Sequence, residues 1–303
     1  LDIGVIGVGV MGKNHARIFS ELRDVGSLYI FDLNREACEG MAARYGGVAS
    51  TSLSELLHSV DAVSICVPTR FHRETALAAL GSGVSVLIEK PICSTSGEGE
   101  ELLSRIPGGL TVGVGHIERF NPIVEEIQRI IRKPLYMELK RHNPASSRIT
   151  DSSVVEDLMI HDIDIVFNLL FQGKYTLSSA GSTDLCTTLI RMGSVPVILS
   201  ASRKAAKKIR SIYIEEEDCT IEGNFMTQEI TVYRRPDQFA VENQRYVQES
   251  VIETVMVNKV EPLKLELSTF LSCARAGKPF PVTPEQAVRN LRICEEIRKG
   301  WTV

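Results

Sequence analysis

The run Ile3-Gly-Val-Ile6 leads directly into Gly7-Val-Gly-Val-Met-Gly12, and this join constrains the fold more than any other stretch. A glycine string alone is common. Here a strand pattern precedes it, a helical pattern with Ile18 and Leu22 on one face follows, and a second strand, Leu28–Phe31, comes next. Asp32 ends that strand about 20 residues past the last glycine, where a carboxylate reaches a ribose 2′-hydroxyl. Gly7 is expected to make the tight turn, Gly9 to let the backbone approach a pyrophosphate, and Gly12 to let the helix pack on the strand. Val10 and Met11 open that helix, whose unpaired N–H groups and dipole favour phosphate. The competing reading is a ligand-free β-turn-α corner. The context favours a dinucleotide site.

Strands and helices then alternate. Helices are expected over Arg35–Tyr45, stopped by Gly46-Gly47, and over 53–58, 72–80 and 97–106. Ala62 to Val67, Val84 to Ile88 and Leu110 to Val114 are apolar runs, as strands covered on both faces require. Short joints between β and α units specify a doubly wound parallel sheet. Ligands of such sheets bind beyond the carboxyl ends of the strands. Gly7 to Gly12, Asp32, Pro68-Thr69, Lys90 and His116 all fall there.

The pattern changes after residue 118. Asn121-Pro122 starts a helix reaching about Arg132, with asparagine as N-cap and proline first in the helix. A strand is expected over 135–142, a polar loop over 143–152 and a long helix over 153–170. Short strands follow at 185–192, 195–202, 209–215, 220–222 and 229–233, with Gly193-Ser194 as a hairpin turn. Residues 235–258 have no assignment, and helices over 263–276 and 284–299 close the chain. The expectation is an α/β N-terminal Rossmann domain, residues 1–118, then an α+β domain, 119–303, with an open, largely antiparallel sheet.

The long helix carries the candidate chemistry. At 100° per residue, Asp157, His161, Asp164 and Asn168 share one narrow arc, and nearly everything around them is apolar. A solvent-facing stripe is the plain alternative, but such stripes usually carry Lys, Arg or Glu. A histidine held between carboxylates is a plausible proton acceptor.

Taken together, these pieces resemble the glucose–fructose oxidoreductase/inositol dehydrogenase (Gfo/Idh/MocA) family. The matching motifs are Gly7 to Gly12 with His15, Pro68-Thr69 with His72, Glu89-Lys90-Pro91, Asp157-x-x-x-His161-x-x-Asp164 and the closing Glu266 to Thr283 region with Gly277-Lys278-Pro279. One departure is Ser152-Ser153, where the family more often has paired glycines. The resemblance implies an NAD(P)-dependent oxidoreductase acting on CH–OH donors, with Lys90, Asp157 and His161 at the catalytic positions and a cis Lys90–Pro91 bond. His161 is the chosen base and Lys90 the partner of the substrate oxygen, although the two could exchange roles. Cofactor contacts are expected from Gly7, Gly9, Val10, Met11, Gly12, Asp32, Leu33, Arg35, Pro68, Thr69, His72, Glu89 and Lys90. NAD is expected over NADP because Asp32 would repel a 2′-phosphate, with Arg35 as the counter-argument.

The stretch Gly115 to Pro122 resembles the nucleotide-sugar branch that includes UDP-N-acetylglucosamine 3-dehydrogenases. It implies a UDP-linked N-acetylhexosamine oxidised at C3, with His116, Arg119, Asn121, Arg141, Asp157 and His161 on the substrate. Arg119 and Arg141 could grip a diphosphate, or Arg119 could simply anchor the linker. A free polyol such as inositol is the alternative substrate, and a non-catalytic NAD/sugar sensor is the alternative class.

Composition bounds the rest. A formal net charge of −4 with mixed signs gives no general attraction for nucleic acid or an anionic membrane. Seven cysteines without a Cys-x-x-Cys pair suggest reduced, buried thiols in a cytoplasmic protein, and no spacing suggests a metal site. The basic run Arg203 to Arg210 is expected in a solvated connection, and His15 and His72 as caps or packing groups. A homodimer or homotetramer is expected, with Val197, Leu199, Ile212 and Ile214 offering apolar area to a second copy.

Overall fold

The computed structural model describes residues 1–144, 152–235, 239–242, 245–248 and 251–301. Most of the expected 143–152 loop lies outside them. In chain order the elements are β1 (Ile3–Ile6), α1 (Val10–Glu21), β2 (Leu28–Phe31), α2 (Arg35–Tyr45), β3 (Val48–Ala49), α3 (Leu53–His58), β4 (Ala62–Ile65), α4 (His72–Gly81), β5 (Ser85–Glu89), α5 (Ser96–Leu103) and β6 (Val112–Gly115). Next come α6 (Pro122–Ile130), β7 (Tyr136–His142), α7 (Ile160–Ile165), β8 (Tyr175–Gly181), β9 (Leu185–Met192), β10 (Val195–Ser202), β11 (Ile209–Glu215), β12 (Cys219–Asn224) and β13 (Glu229–Arg234). The chain closes with β14 (Phe239–Glu242), β15 (Arg245–Gln248), β16 (Val251–Val255), α8 (Pro262–Ala276) and α9 (Pro284–Lys299). Two compact units result: Leu1–Phe120 with Glu261–Arg292, and Asn121–Val260 with Ile293–Val303.

The first unit holds a six-stranded parallel sheet in the order β3-β2-β1-β4-β5-β6. Every residue of β1, β4, β5 and β6 is buried, which is why these strands read as unbroken apolar runs. The strand order reverses at β1, whose Ile3 pairs with Leu28 on one side and Ala62 on the other. That reversal opens the crevice where such sheets take ligands. Side chains cap the helices as their sequences suggest: Asn34, Ser52 and Thr95 each accept from a backbone N–H in the first turn of α2, α3 and α5.

The second unit is built on an eight-stranded sheet, β16-β13-β12-β11-β7-β10-β9-β8, antiparallel except between β7 and β10. Burial alternates along β9, and Met137, Leu139, Ile190, Val197, Leu199, Ile212 and Ile214 make one inner face. Val197, Leu199, Ile212 and Ile214 are therefore core residues rather than area offered to a second copy. The opposite face carries Leu185 and Leu189, each 50% exposed. The long helix starts at Val154 and is not uniformly α. Val155–Met159 and Val166–Leu170 are π-helical, on either side of α7. The single 100° arc therefore does not describe it, because wider turns change which residues stack.

The glycine loop gives the sharpest structural test. A Cβ on Gly12 would lie 1.8 Å from the Gly7 carbonyl oxygen, whereas one on Gly9 would meet nothing within 4 Å. Gly12→Ala should cost about 3 kcal/mol in urea melts, as overpacking against backbone does. Gly9→Ala should stay within about 0.5 kcal/mol of the parent. Equal losses in the two variants would mean that the loop is seated differently.

Candidate active site

In the first unit the site grows from the end of β1. Gly7 turns the chain at φ 89°, a left-handed conformation that favours glycine, and α1 begins at Val10. Asp32 is fixed from two sides: Oδ2 accepts from Val8 N at 2.7 Å and Oδ1 from Asn34 N at 2.8 Å. The carboxylate is thus tied to the glycine loop itself. Leu33 beside it is 91% exposed. Arg35 is drawn toward Glu39 (Nε to Oε1, 2.6 Å) and the Ser50 carbonyl (3.3 Å). Open space over Gly9, free helix N–H groups and an anchored acid at the end of β2 fit a dinucleotide.

Beyond β4, Pro68 leads into a single 3-10 turn, Thr69–Phe71, and then α4. His72 is buried, with its two ring nitrogens each 2.9 Å from a carbonyl, Pro91 O and Val67 O. It ties the turn after β4 to the turn after β5. Burial pushes its pKa below the ordinary value, outweighing the two carbonyls that favour the charged ring. Lys90 follows β5, half-buried, and its peptide bond to Pro91 is cis.

Glu89 is buried beneath Lys90. Its Oε1 lies 2.9 Å from His15 Nε2 and its Oε2 accepts from Lys90 N at 3.2 Å. His15 is fully buried, and its Nδ1 lies 2.6 Å from Ser64 Oγ. Burial disfavours the charged ring, yet Cys66 and Glu89 hold the His15 pKa well above its ordinary value. Burial likewise works against the Glu89 carboxylate, and the His15 contact more than reverses it, leaving the Glu89 pKa lowered. A neighbouring acid on α8, Glu266, is fully buried and held well above the usual carboxylate range, first by burial and then by Glu89. From sequence, His15 reads as a cap or packing group and Glu266 only as the start of a matching region, with no role. The signal available was position, since His15 and Glu89 each adjoin a motif.

His116 is buried, 3.4 Å from Asn290 Nδ2 on α9. Arg119 donates from Nη1 to the Pro281 carbonyl at 3.0 Å and to Gln286 Oε1 at 2.8 Å. These contacts match the anchoring alternative more closely than a grip on substrate.

In the second unit, Asn121 caps α6 and donates from Nδ2 to Phe225 O at 3.0 Å. His161 and Asp164 are buried, so this is no solvent-facing stripe, and Asp164 accepts from Asn168 at 3.0 Å. Two acids on the same helix escaped the sequence reading. Glu156 is buried beside Arg298 at 2.6 Å, and Asp162 is 1% exposed. Asp162 has a consequence for Arg141, whose Nε and Nη2 both donate to Asp162 Oδ1, at 3.0 and 2.6 Å. Arg141 is itself 1% exposed, its fork turned to that carboxylate, where a diphosphate grip had been expected.

Arg203 corrects another expectation. It is 5% exposed rather than solvated. It donates to the Ser152 and Thr183 carbonyls, both at 2.9 Å, and its Nη1 lies 3.9 Å from Asp157 Oδ2. Where paired glycines are commoner, Ser153 accepts from Val155 N at 3.2 Å and contacts Glu156, capping the helix that carries His161. All seven cysteines are free, and five of them are buried.

Comparison with known proteins agrees with this geometry. Residues 1–116 match the profile of the Gfo/Idh/MocA family, described as an oxidoreductase family with an NAD-binding Rossmann fold. The chain is 30% identical to UDP-N-acetylglucosamine 3-dehydrogenase of Acidithiobacillus ferrooxidans over 285 residues, covering 91% of this chain and 89% of that one. The solved structure of that organism's UDP-N-acetylglucosamine 3-dehydrogenase GnnA superposes with a TM-score of 0.85 at 27% identity, over 99% of this chain and 97% of the other. Inositol 2-dehydrogenase 4 of Saccharopolyspora erythraea is 31% identical over 176 residues, 54% of this chain and 52% of its own. No helix among the described residues is long and apolar enough to cross a membrane. With a glycine loop, an anchored acid and the Glu89-Lys90-Pro91 turn in their expected places, and a relative matched over nearly its whole length, this chain belongs to the Gfo/Idh/MocA oxidoreductase family.

Proposed function

We propose that the chain is an NAD-dependent dehydrogenase that oxidises a secondary hydroxyl of a sugar, at C3 of a UDP-linked N-acetylhexosamine. The observation that carries the substrate is the similarity to a UDP-N-acetylglucosamine 3-dehydrogenase across 91% of this chain. A free polyol is the second reading, favoured by the inositol dehydrogenase similarity, which spans only 54% of the chain.

In this reading Gly7, Gly9 and Gly12, with Val10 and Met11, receive the pyrophosphate on the N-terminus of α1. Asp32 accepts from the ribose hydroxyls, with Leu33, Pro68 and Thr69 flanking. A nicotinamide cofactor held by these residues would supply the hydride acceptor for the carbinol carbon. His161 takes the hydroxyl proton, and Asp157 orients its ring. Lys90 donates a hydrogen bond to the oxygen as it gains alkoxide character. Proton and hydride leave the same carbinol, and a ketone remains. The contact of Arg141 with Asp162 supports a role in holding the helix rather than in gripping a diphosphate.

Three outcomes are expected. NADH should bind at least about tenfold more tightly than NADPH, because a 2′-phosphate meets Asp32 while Arg35 is drawn to Glu39. Equal or tighter NADPH binding in a fluorescence titration rejects that preference.

Lys90→Ala and His161→Ala should each lower kcat/KM by about 10² or more with near-normal NADH affinity. The assay is NADH formation over a panel of UDP-sugars and free sugars. Activity confined to free polyols rejects the nucleotide-sugar assignment, and near-parental turnover in either variant rejects that residue's role.

A second copy should cover the outer sheet face, where Leu185 and Leu189 are 50% exposed and Ile252 60%. Light scattering should give a dimer or tetramer; a monomeric mass at micromolar concentration overturns this.

A further inference from the structure

Three titratable groups lie buried together in the first unit, and the chemistry just proposed uses none of them as acid or base. His15 comes from α1, Glu89 from the end of β5 and Glu266 from α8, which packs on α1. All three are buried, His15 and Glu266 completely. Isolated charges there would be very costly, so the group must reach near-neutrality through its own protons.

Geometry and burial together support one placement of those protons. Both nitrogens of His15 lie within hydrogen-bond distance of oxygen, Ser64 Oγ at 2.6 Å and Glu89 Oε1 at 2.9 Å. A charged ring donates at both places. Glu89 must then be the anion, because its other oxygen, Oε2, accepts from the Lys90 peptide N–H at 3.2 Å. A Cβ on Gly115 would come within 3.1 Å of Glu89 Oε1, so the neighbouring strand leaves room for this carboxylate by having no side chain there. Neither oxygen of Glu266 has a hydrogen-bond partner among the described residues. A second bare anion beside Glu89 would be both unsolvated and repelled. Glu266 is the neutral acid.

We propose that His15 and Glu266 are positioning residues for Lys90: charged His15 and protonated Glu266 leave Glu89 as the anion of the three, and Glu89 holds the Lys90 backbone. The assignment rests on the reading of Lys90 as the group that meets substrate. It also links two loops, since the helix that seats the pyrophosphate carries His15 and so the same charge pair. The groups that act on Glu266 are Glu89 from β5 and His15 from α1; Cys66, after β4, acts on His15.

The sign of the pH dependence follows. A buried acid whose folded pKa is raised stabilises the fold below its unfolded value of about 4.3 and loses that contribution as pH climbs toward the folded value. Glu266→Gln keeps the shape and removes the titration. Its melting temperature should match the parent near pH 4 and exceed it increasingly toward alkaline pH. Glu266→Ala, which leaves a cavity, should lose stability at every pH. In 15N spectra of imidazole-labelled protein, His15 should show two protonated nitrogens at pH 7 in the parent and in Glu266→Gln. The link to Lys90 is read by acetylation with an N-hydroxysuccinimide ester and mass spectrometry of the Lys90 peptide. Glu89→Gln should label Lys90 several-fold faster with other lysines unchanged, and Glu266→Gln should label it like the parent. His15→Gln gives the same readout should Glu89→Gln fail to fold.

A Glu266→Gln protein less stable than the parent at neutral pH, or a neutral His15 ring, overturns the charge assignment. Unchanged Lys90 labelling in Glu89→Gln and His15→Gln overturns the positioning role. None of these measurements needs turnover, so they stand whichever substrates the sugar panel accepts. With an accepted sugar, Glu89→Gln should lower kcat about a hundredfold, the loss expected when a reacting group is misplaced by about 1 Å.

Discussion

The first unit depends on one close approach, α1 onto the end of β1. Gly12 sits so near the Gly7 carbonyl that even a methyl group there would overlap it. That contact sets where α1 points and what hangs from it. Val8 N, in the same loop, faces the Asp32 carboxylate. His15, one turn further along, enters the sheet side and reaches Ser64 and Glu89. A single absent side chain thus places the glycine loop, the Asp32 carboxylate and the His15–Glu89 contact.

In the second unit the matching constraint is electrostatic. Arg141 rises from the middle of the sheet, and Asp162 meets it from α7, both essentially without solvent access. The Phe225 ring lies 5.3 Å from the guanidinium. Removing one partner of such a pair typically costs about 3–5 kcal/mol, because the other charge is left stranded. The pair therefore pins the helix that carries His161 to β7. Arg203 grips the same helix near its start, through the Ser152 carbonyl and Asp157. A helix with a π turn at each end is held from two sides, so its register against the sheet is a matter of charge as much as packing.

Much of this was legible in the sequence, for identifiable reasons. Strands covered on both faces appear as apolar runs, and the glycine loop and Asp32 appear through their spacing within a strand–helix–strand pattern. Elements went unread where neither signal exists. β3 is two residues long, β8 is an edge strand of small and polar residues, and β16 is almost wholly exposed. The π turns leave no trace in residue type. Burial of charge was the larger gap. Arg203 sits in a basic run and Arg141 in a charged strand, and partners from other segments, Ser152, Thr183 and Asp184 for the first and Asp162 for the second, make their burial tolerable.

Those partners also change what the site requires of a ligand. Asp32 is held by two backbone N–H groups, Glu89 by His15 and the Lys90 peptide, and Asp164 by Asn168. Within its own unit, each of these carboxylates already has a fixed orientation. The reorganisation that a flexible acid would need on binding has been met during folding, by groups on neighbouring elements. Stabilisation from oriented dipoles and charges is greatest when they do not have to move. In this chain Val8, His15 and Asn168 give the nearby acids a fixed direction.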